Sequence, residues 1–199
     1  MSASEPNIHS DIGRRVRATR TSLGWTLDDL AATSGVSRRM IINVEGGSVN
    51  ASIGTLLRLS DALGIGIPSL VAPERVTTVS LTPTGKGTAL WRSPGGGQAV
   101  LLAGTAPPDV LELWEWTLAP GDRHASEAHS AGTREIARVE EGAVQIETAD
   151  GIVDLATGDT LVLNGDVDHA YMNPGATPAR FTLVVFEPNV RSSERDTHA

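Results

Sequence analysis

The sequence predicts a two-domain chain, with an all-α bundle followed by an all-β barrel. Apolar residues recur at helical spacing up to about residue 72, and short β-rich runs separated by turn residues follow. The 199 residues suffice for two small domains that each bury a core. The predicted boundaries are a tail over 1–9, a helical domain over 10–72, a linker over 73–76, a β domain over 77–189 and a tail over 190–199.

Capping residues and glycines mark the ends of the predicted helices. Thr26 and Ser37 stand where helix N-caps are needed, and Gly24 and Gly64 stand where helices end. The predicted helices run from about Ile12 to Leu23, from Thr26 to the turn at Ser34-Gly35-Val36, from Ser37 to Glu45, from Ser52 to Leu63 and from Pro68 to Val71.

Short runs rich in β-branched and apolar residues fill the second part, and Gly-, Pro- and Asn-containing turns separate them. Many short strands at such spacing indicate a sandwich or barrel. The predicted strands are Val76–Leu81, Ala89–Trp91, Gln98–Leu102, Val110–Leu118, Glu135–Glu140, Ala143–Thr148, Thr160–Leu163, His169–Met172 and Phe181–Phe186.

Charge is distributed unevenly between the two parts. The net charge is −8, and residues 73–199 carry eighteen acidic against nine basic residues, so the β domain cannot lie flat on phosphate. Without cysteine, disulfides and thiolate metal sites are excluded. No leader segment and no apolar run of about 18 residues occurs, so we expect a soluble, cytoplasmic protein with no membrane partner.

The predicted third helix has the composition of a DNA-reading helix. Its apolar positions pack on the bundle and leave Arg38, Arg39, Ile42 and Asn43 outward. Arginine can bind guanine with two hydrogen bonds, and asparagine can do the same with adenine. The alternative is a solvated face on a purely structural bundle.

Residues 12–71 resemble the phage-repressor-like helix-turn-helix family of the xenobiotic-response-element type. The resemblance rests on Ile12-Gly13-Arg14-Arg15-Val16-Arg17, Arg20, Leu23-Gly24, Leu27, Leu30-Ala31, Gly35-Val36-Ser37, Ile41, Glu45-Gly46, Leu56 and Ala62-Leu63-Gly64.

This resemblance implies double-stranded DNA as a partner and a homodimer on two half-sites of an operator. It also implies a fold-holding ion pair between Arg20 and Glu45. The implied contacts to bases or phosphates come from Ser37, Arg38, Arg39 and Asn43, and the implied contacts to the DNA backbone come from Ser48 and Asn50.

The β domain contains two pairs of polar residues at strand spacing, Glu127 with His129 and His169 with Tyr171. Residues i and i+2 of one strand point the same way, so both pairs can face a barrel interior. Two imidazoles and one carboxylate would suit a divalent Zn, Fe, Ni or Mn ion. The alternative is a polar pocket that holds no metal.

The same region resembles the cupin family, a double-stranded β-helix or jelly-roll barrel. Gly121, Glu127, His129, Glu135 and Gly142 match the first cupin motif, and Gly158, Asp166, His169 and Asn173 match the second. Four features depart from the family pattern. Glu127 replaces a usual His, Asn164 a usual Pro and Asp166 a usual Gly, and Glu135 lies further along the chain from His129 than the family's glutamate does. With Glu127 in place of that His, Glu127, His129 and His169 could still form a metal set of two histidines and one carboxylate. Glu135 is a fourth candidate, and His124 on a preceding loop is a further one.

Other residues of the β domain have candidate roles in a ligand pocket or in the core. Tyr171 is expected to line the pocket, and Arg138 could hold a carboxylate ligand if it turned inward. Trp114 and Trp116 alternate on one strand, so they share a face and are expected in the core or an interface.

The order of the two domains resembles a class of bacterial transcriptional regulators whose cupin domain binds a small metabolite. We therefore expect a sequence-specific DNA-binding regulator that senses a small-molecule effector and is not an enzyme. The first alternative is a metal-dependent cupin enzyme similar to a mononuclear-iron epoxidase of phosphonate antibiotic synthesis, with a vestigial helix-turn-helix domain. The second is a structural cupin used only for dimerisation.

Overall fold

The computed structural model describes residues 8–71 and 79–190. The chain divides into two compact units, with a boundary between Arg75 and Val76, and the β unit ends at Asn189. The predicted linker over 73–76 lies outside the described residues, as do most of the predicted tails. Of the range predicted as an N-terminal tail, residues 8 and 9 instead begin the first helix.

Residues 8–71 form the five helices that the sequence predicts. Pro68 is the third residue of the last helix, in the first turn, where its missing N–H is tolerated, and that helix begins two residues before the predicted start. The helices are α1 (Ile8–Ser22), α2 (Leu27–Ser34), α3 (Arg38–Glu45), α4 (Ile53–Leu63) and α5 (Gly66–Val71).

Side-chain caps fix the direction of α2 and α3. The Thr26 hydroxyl accepts a hydrogen bond from the backbone N of Asp29 at 3.1 Å, and the Asp29 carboxylate accepts one from the backbone N of Thr26 at 2.8 Å. The Ser37 hydroxyl accepts from the backbone N of Met40 at 3.2 Å. Gly35 has φ 66°, which closes the tight turn between the two helices. Both predicted caps and the predicted turn are confirmed.

Helix α1 packs closely against α3. A Cβ added at Gly13 would lie 2.2 Å from the carbonyl oxygen of Val44, so no larger residue fits at this position. Val16 on α1 and Ile41 on α3 are fully buried. The α1–α3 packing therefore sets which side of α3 remains outside.

The predicted ion pair between Arg20 and Glu45 joins α1 to the end of α3 and is confirmed. Arg20 Nε and Nη2 donate to the two Glu45 oxygens at 2.6 and 2.9 Å, and Nη1 donates to the carbonyl oxygen of Trp25 at 2.8 Å. The Arg20 side chain is only 11% exposed and that of Glu45 only 9%. If either side chain were removed, the other would stay buried with little water to replace the two lost hydrogen bonds.

The second unit consists of two antiparallel sheets, which confirms the predicted cupin-type β fold. The six-stranded sheet has the order β1-β2-β3-β10-β5-β8, and the four-stranded sheet has the order β4-β9-β6-β7. The strands are β1 (Thr88–Arg92), β2 (Gln98–Gly104), β3 (Val110–Leu118), β4 (Arg123–Ser126), β5 (Arg134–Glu141), β6 (Ala143–Thr148), β7 (Gly151–Ala156), β8 (Thr160–Asn164), β9 (His169–Met172) and β10 (Ala179–Glu187).

Two strands were not predicted, and the described part of one predicted strand does not form a strand. Strand β4 is short and polar, and β7 lies at a sheet edge with one buried position, Leu155, so neither shows apolar alternation. Of the predicted strand Val76–Leu81, residues 76–78 lie outside the described part. Val79 and Leu81 are exposed and form no strand.

Aromatic side chains fill the core of the β unit. Trp114 and Trp116 are each 3% exposed, which confirms their predicted core position. Trp116 stacks on Phe181 with ring centroids 5.7 Å apart and contacts Tyr171 at 5.4 Å. The aromatic core thus extends to Tyr171 on β9, the strand that also carries His169.

Arg20→Ala is expected to reduce the free energy of unfolding by about 3 kcal/mol, because it leaves the Glu45 carboxylate buried without its cation. The matched control is Arg14→Ala, since Arg14 pairs with Asp11 in an exposed position and its side chain is 66% exposed. That variant should lose less than about 1 kcal/mol. Urea unfolding of the full chain measures both, and equal losses would contradict the assigned role of Arg20.

Candidate functional site

The outer side of α3 presents a polar face with two apolar residues. Arg38 and Arg39 are exposed, as predicted, and Asn43 is half-buried. Ile42 is 43% exposed and Met40 37%. Such a face offers hydrogen-bond donors for base edges and apolar atoms for thymine methyl groups.

The two arginines of α3 differ in their surroundings. Arg38 Nε lies 3.0 Å from a carboxylate oxygen of Asp28 on α2, and both side chains are exposed. Within the described part of the chain, Arg39 forms no ion pair. Arg39 can therefore meet DNA without giving up an intramolecular contact, whereas Arg38 must exchange Asp28 for it.

The remaining residues predicted to contact DNA flank α3. Ser37 is exposed, but its hydroxyl oxygen is engaged in capping the helix. After α3, Ser48 donates its hydroxyl to the carbonyl oxygen of Asn43 at 3.1 Å, and both Ser48 and Asn50 are exposed. The loop is thus held against the end of α3 with its polar groups at the surface.

A second cluster lies inside the β unit and consists of His129, Glu135 and His169. One ligand atom from each lies within 4.8 Å of the others. Glu135 Oε1 is 3.1 Å from His129 Nε2 and 3.5 Å from His169 Nε2. The carboxylate therefore stands between two imidazoles.

These three residues come from separate parts of the β unit. Glu135 lies on β5 and His169 begins β9, while His129 lies in the loop after β4. The backbone N of His129 donates to the carbonyl oxygen of Gly165 at 2.9 Å, and that of Ala128 donates to the Asp168 carboxylate at 2.9 Å. Hydrogen bonds to the segment between β8 and β9 thus place His129 beside His169.

The structure corrects the predicted carboxylate of this cluster. Glu127 and His129 were predicted to share a strand and a face, but β4 ends at Ser126 and both residues lie in the loop. Glu127 is exposed and lies outside the cluster. Glu135, the fourth candidate, supplies the carboxylate instead. His124, predicted on a loop, lies on β4 against Trp116, with ring centroids 4.8 Å apart.

Hydrogen bonds fix how His169 and Glu135 face each other. His169 Nδ1 donates to the carbonyl oxygen of Val167 at 2.8 Å, which directs Nε2 toward Glu135. The Tyr171 hydroxyl donates a hydrogen bond to Glu135 Oε2 and lies 3.1 Å from His169 Nε2. Tyr171, predicted for a ligand pocket, therefore contacts the cluster directly.

Arg138, the other predicted pocket residue, points away from the cluster. It is exposed on β5, where its Nη1 lies 3.4 Å from the carbonyl oxygen of Gly158 and 3.4 Å from the Thr160 hydroxyl. Within 79–190 every arginine and lysine is exposed. No guanidinium is therefore buried beside the cluster in the described residues to hold a carboxylate ligand.

The cluster shifts the protonation equilibria of its own members. Burial opposes the charged form of His129, but the hydrogen bond to Glu135 and the nearby carboxyl groups outweigh burial and raise the pKa of His129. Burial likewise opposes the charge on Glu135, yet His129, His169 and Tyr171 leave the pKa of Glu135 lowered. The carboxylate is thus held ionised in a buried position.

Two buried glutamates near His129 were not predicted. Glu187 on β10 is 0% exposed, with Oε1 3.7 Å from His129 Nδ1, and Glu112 on β3 is 3% exposed. Trp114 Nε1 donates to Glu112 at 2.9 Å. Both glutamates occupy inward positions of strands that alternate regularly, so the alternation itself could have identified them.

The donor set fits a divalent cation. Two imidazole nitrogens and a carboxylate oxygen converge from three segments, with one imidazole held by a backbone carbonyl in the manner of metal-binding histidines. Three buried carboxyl groups stand around it, those of Glu112, Glu135 and Glu187, and Glu135 is the one held ionised. A positive ion at this place would offset buried negative charge.

Glu112→Gln is expected to change how the stability of the chain depends on pH. Burial, followed by the neighbouring Glu187, raises the pKa of Glu112 to about 8. The unfolded chain therefore loses this proton at lower pH than the folded chain, so stability falls as pH rises from the usual glutamate value to about 8. Between pH 6 and pH 8 the loss is about 2 kcal/mol. The neutral amide removes this dependence, and urea unfolding at both pH values measures it. An unchanged slope would contradict the buried neutral state.

Two domain families match the chain in the expected order. The helix-turn-helix family matches residues 16–70, and the cupin domain family matches residues 114–186. None of the helices in the described ranges is long and apolar enough to cross a membrane.

Two proteins similar to this chain over nearly their whole length are described as transcriptional regulators. The HTH-type transcriptional regulator SutR of Escherichia coli is 22% identical over 185 residues, which cover 92% of this chain and 98% of that protein. A crystal structure of a helix-turn-helix family transcriptional regulator from Vibrio cholerae is 24% identical with a TM-score of 0.67. It covers 91% of this chain and 97% of that one and supports the shared fold.

A third relative matches about a third of this chain. The uncharacterized HTH-type transcriptional regulator y4mF of Sinorhizobium fredii is 38% identical over 66 residues, which cover 33% of this chain and 87% of that protein. The capped α2–α3 pair and the exposed face of α3 agree with this relationship. The chain therefore belongs to the helix-turn-helix transcriptional regulators and carries a cupin domain after its helix-turn-helix domain.

Proposed function

We propose that this chain binds a DNA operator as a homodimer through α3, and that its cupin domain holds a divalent metal and senses a small-molecule effector. The observation that carries the proposal is the pairing, in one chain, of a capped helix with an exposed polar face and a buried His/Glu/His cluster. A regulator of this kind acts where the DNA is, in the cytoplasm.

The DNA-reading role of α3 follows from its exposed side chains. Arg39 is available for a two-hydrogen-bond contact to guanine, and Asn43 lies one turn further along the same face. Arg38 is better suited to approach a phosphate, because it must leave Asp28 for any new contact. Ser48 and Asn50 lie in the loop after α3, from which they would contact the DNA backbone.

The metal-holding role belongs to His129, Glu135 and His169. When bound, a Zn, Fe, Ni or Mn ion would supply a Lewis-acidic centre for an oxygen or nitrogen atom of the effector. The Val167 carbonyl oxygen accepts a hydrogen bond from His169 Nδ1, which keeps His169 Nε2 directed inward. The Tyr171 hydroxyl donates to Oε2 of Glu135 and so fixes this carboxylate. These contacts would position two ligands before any ion or effector binds.

Sensing requires that the effector bind two states of the dimer with different affinity, and by linkage operator DNA then changes effector affinity by the same factor. The cluster suits this role because its residues come from β5, β9 and the loop after β4. An effector bound there would contact several elements of the β unit at once.

The alternative of a metal-dependent cupin enzyme would use the same three ligands. The exposed arginines and apolar residues of α3 favour the regulator, because an enzyme has no use for base-reading side chains at that place. Turnover of a substrate by the metal-loaded chain, with no operator selected from random DNA, would reverse this preference.

Arg39→Ala is expected to weaken specific DNA binding by about 1–3 kcal/mol, and Arg38→Ala by less, because Arg38 already has a partner. The measurement is binding to an operator selected from random double-stranded DNA, at fixed salt. The matched control is Arg92→Ala, an exposed arginine of the β unit, which should leave affinity unchanged. Unchanged affinity in the double variant of Arg38 and Arg39 would exclude α3 as the reading helix.

Replacement of His129 or His169 by alanine, or of Glu135 by glutamine, is expected to lower Zn²⁺ affinity by more than about 100-fold. Removing a residue that only hydrogen-bonds to a metal ligand already costs up to about 100-fold in metal affinity, and removing a ligand itself should cost at least as much. Calorimetric titration of metal-stripped full chain with Zn²⁺ provides the measurement. The matched control is Glu127→Gln, at an exposed position outside the cluster. If that control lost Zn²⁺ while Glu135→Gln retained it, the ligand set derived from the structure would be wrong.

A further inference from the structure

Six apolar side chains form a continuous area, termed the outer patch, on the solvent side of the six-stranded sheet. Val162 is 65% exposed, and three others are at least 38% exposed. A soluble chain rarely leaves so contiguous an apolar area without a partner. The outer patch consists of Leu111, Leu113, Ile136, Val162, Val184 and Phe186.

Strand pairing makes this area continuous. Val184 on β10 pairs with Leu113 on β3 and with Ile136 on β5, and Ile136 pairs with Val162 on β8. Phe186 pairs with Leu111 in the adjoining part of the sheet. The apolar row therefore crosses four neighbouring strands with β10 near its middle.

Opposite charges flank this row at equal positions on the two sides of β10. Thr182 of β10 pairs with Glu115 on β3 and with Arg138 on β5. Glu115 lies 3.5 Å from Arg180 and remains 41% exposed, and Arg138 is exposed with only 3.4 Å contacts to Gly158 and Thr160. Each charge thus remains accessible from outside.

We propose that the outer patch is the dimer surface and that a second copy of this chain covers it, related by a two-fold axis that runs roughly along β10. This symmetry exchanges the two sides of β10, so Leu113 meets Ile136 of the partner subunit and Glu115 meets Arg138 of the partner subunit. The charge pair then forms twice around an apolar centre. A surface of this kind is complementary to itself, which is the requirement for a closed two-fold dimer.

The proposal rests on the homodimer of the proposed function and goes further by locating its surface. A homodimer through the β unit would carry two α3 helices on one particle, as two operator half-sites require. It also gives Arg138 a role on the outside of the sheet, in place of the inward role that the sequence suggested.

The test is sedimentation equilibrium of the full chain and of charge-reversed variants. Glu115→Arg alone and Arg138→Glu alone should each weaken the dimer by about 100-fold, because each places two like-charge pairs across the interface. The combined variant E115R/R138E should recover to within about tenfold of the original chain. Such recovery would not occur if the single changes merely disturbed the fold.

A second variant pair tests the apolar centre. Val162→Glu should weaken the dimer, whereas Ile152→Glu, at a 56% exposed apolar position of the four-stranded sheet, should not. A chain that stays monomeric at high concentration would overturn the homodimer itself. A dimer that is insensitive to both single charge reversals and to Val162→Glu would overturn this surface alone.

Discussion

The burial of carboxyl groups at one end of the β unit is the constraint on which the candidate site depends. Glu112, Glu135 and Glu187 stand on the adjacent strands β3, β5 and β10, all facing inward, where an uncompensated negative charge is costly. His129 lies between two of these groups, with one ring nitrogen toward Glu135 and the other toward Glu187. Glu112 is held neutral by burial. A divalent ion held by the two imidazoles and Glu135 is a positive group that this arrangement accommodates.

The strict alternation of the six-stranded sheet separates two kinds of surface. Inward positions carry the aromatic core and the glutamates, while outward positions of the same strands carry the outer patch and its flanking charges. Glu135 faces inward as part of the His/Glu/His cluster, and Ile136, its neighbour, faces outward. One sheet can therefore contribute to the proposed sensing site with one face and to the proposed subunit contact with the other. The helical unit adds a third surface, the exposed side of α3, whose orientation depends on the α1–α3 contact at Gly13 and on the Arg20–Glu45 pair.

Sequence reasoning succeeded where local chemistry decides the structure. Thr26 and Ser37 cap helices in almost any context, and the outward residues of α3 follow from its apolar spacing. It failed for Glu127, because the loop after β4 donates backbone hydrogen bonds to residues about forty positions later, among them Asp168, and so leaves the strand. Strand β7 has one buried position, so its sequence shows no apolar alternation from which a strand could be predicted. The orientation of Arg138 could have been predicted from the sequence, since it lies three residues from Glu135 on one strand and must face the opposite side of the sheet.

The most direct test of this account is the metal content of the full chain, purified without chelator, measured by elemental analysis together with native mass spectrometry. We predict one divalent transition-metal ion per chain, carried by a particle of two chains. A chain that holds no ion, even after incubation with Zn, Fe, Ni and Mn salts, would contradict it. The buried His/Glu/His cluster would then be a polar feature of the core, and the sensing role would have to lie elsewhere in the molecule.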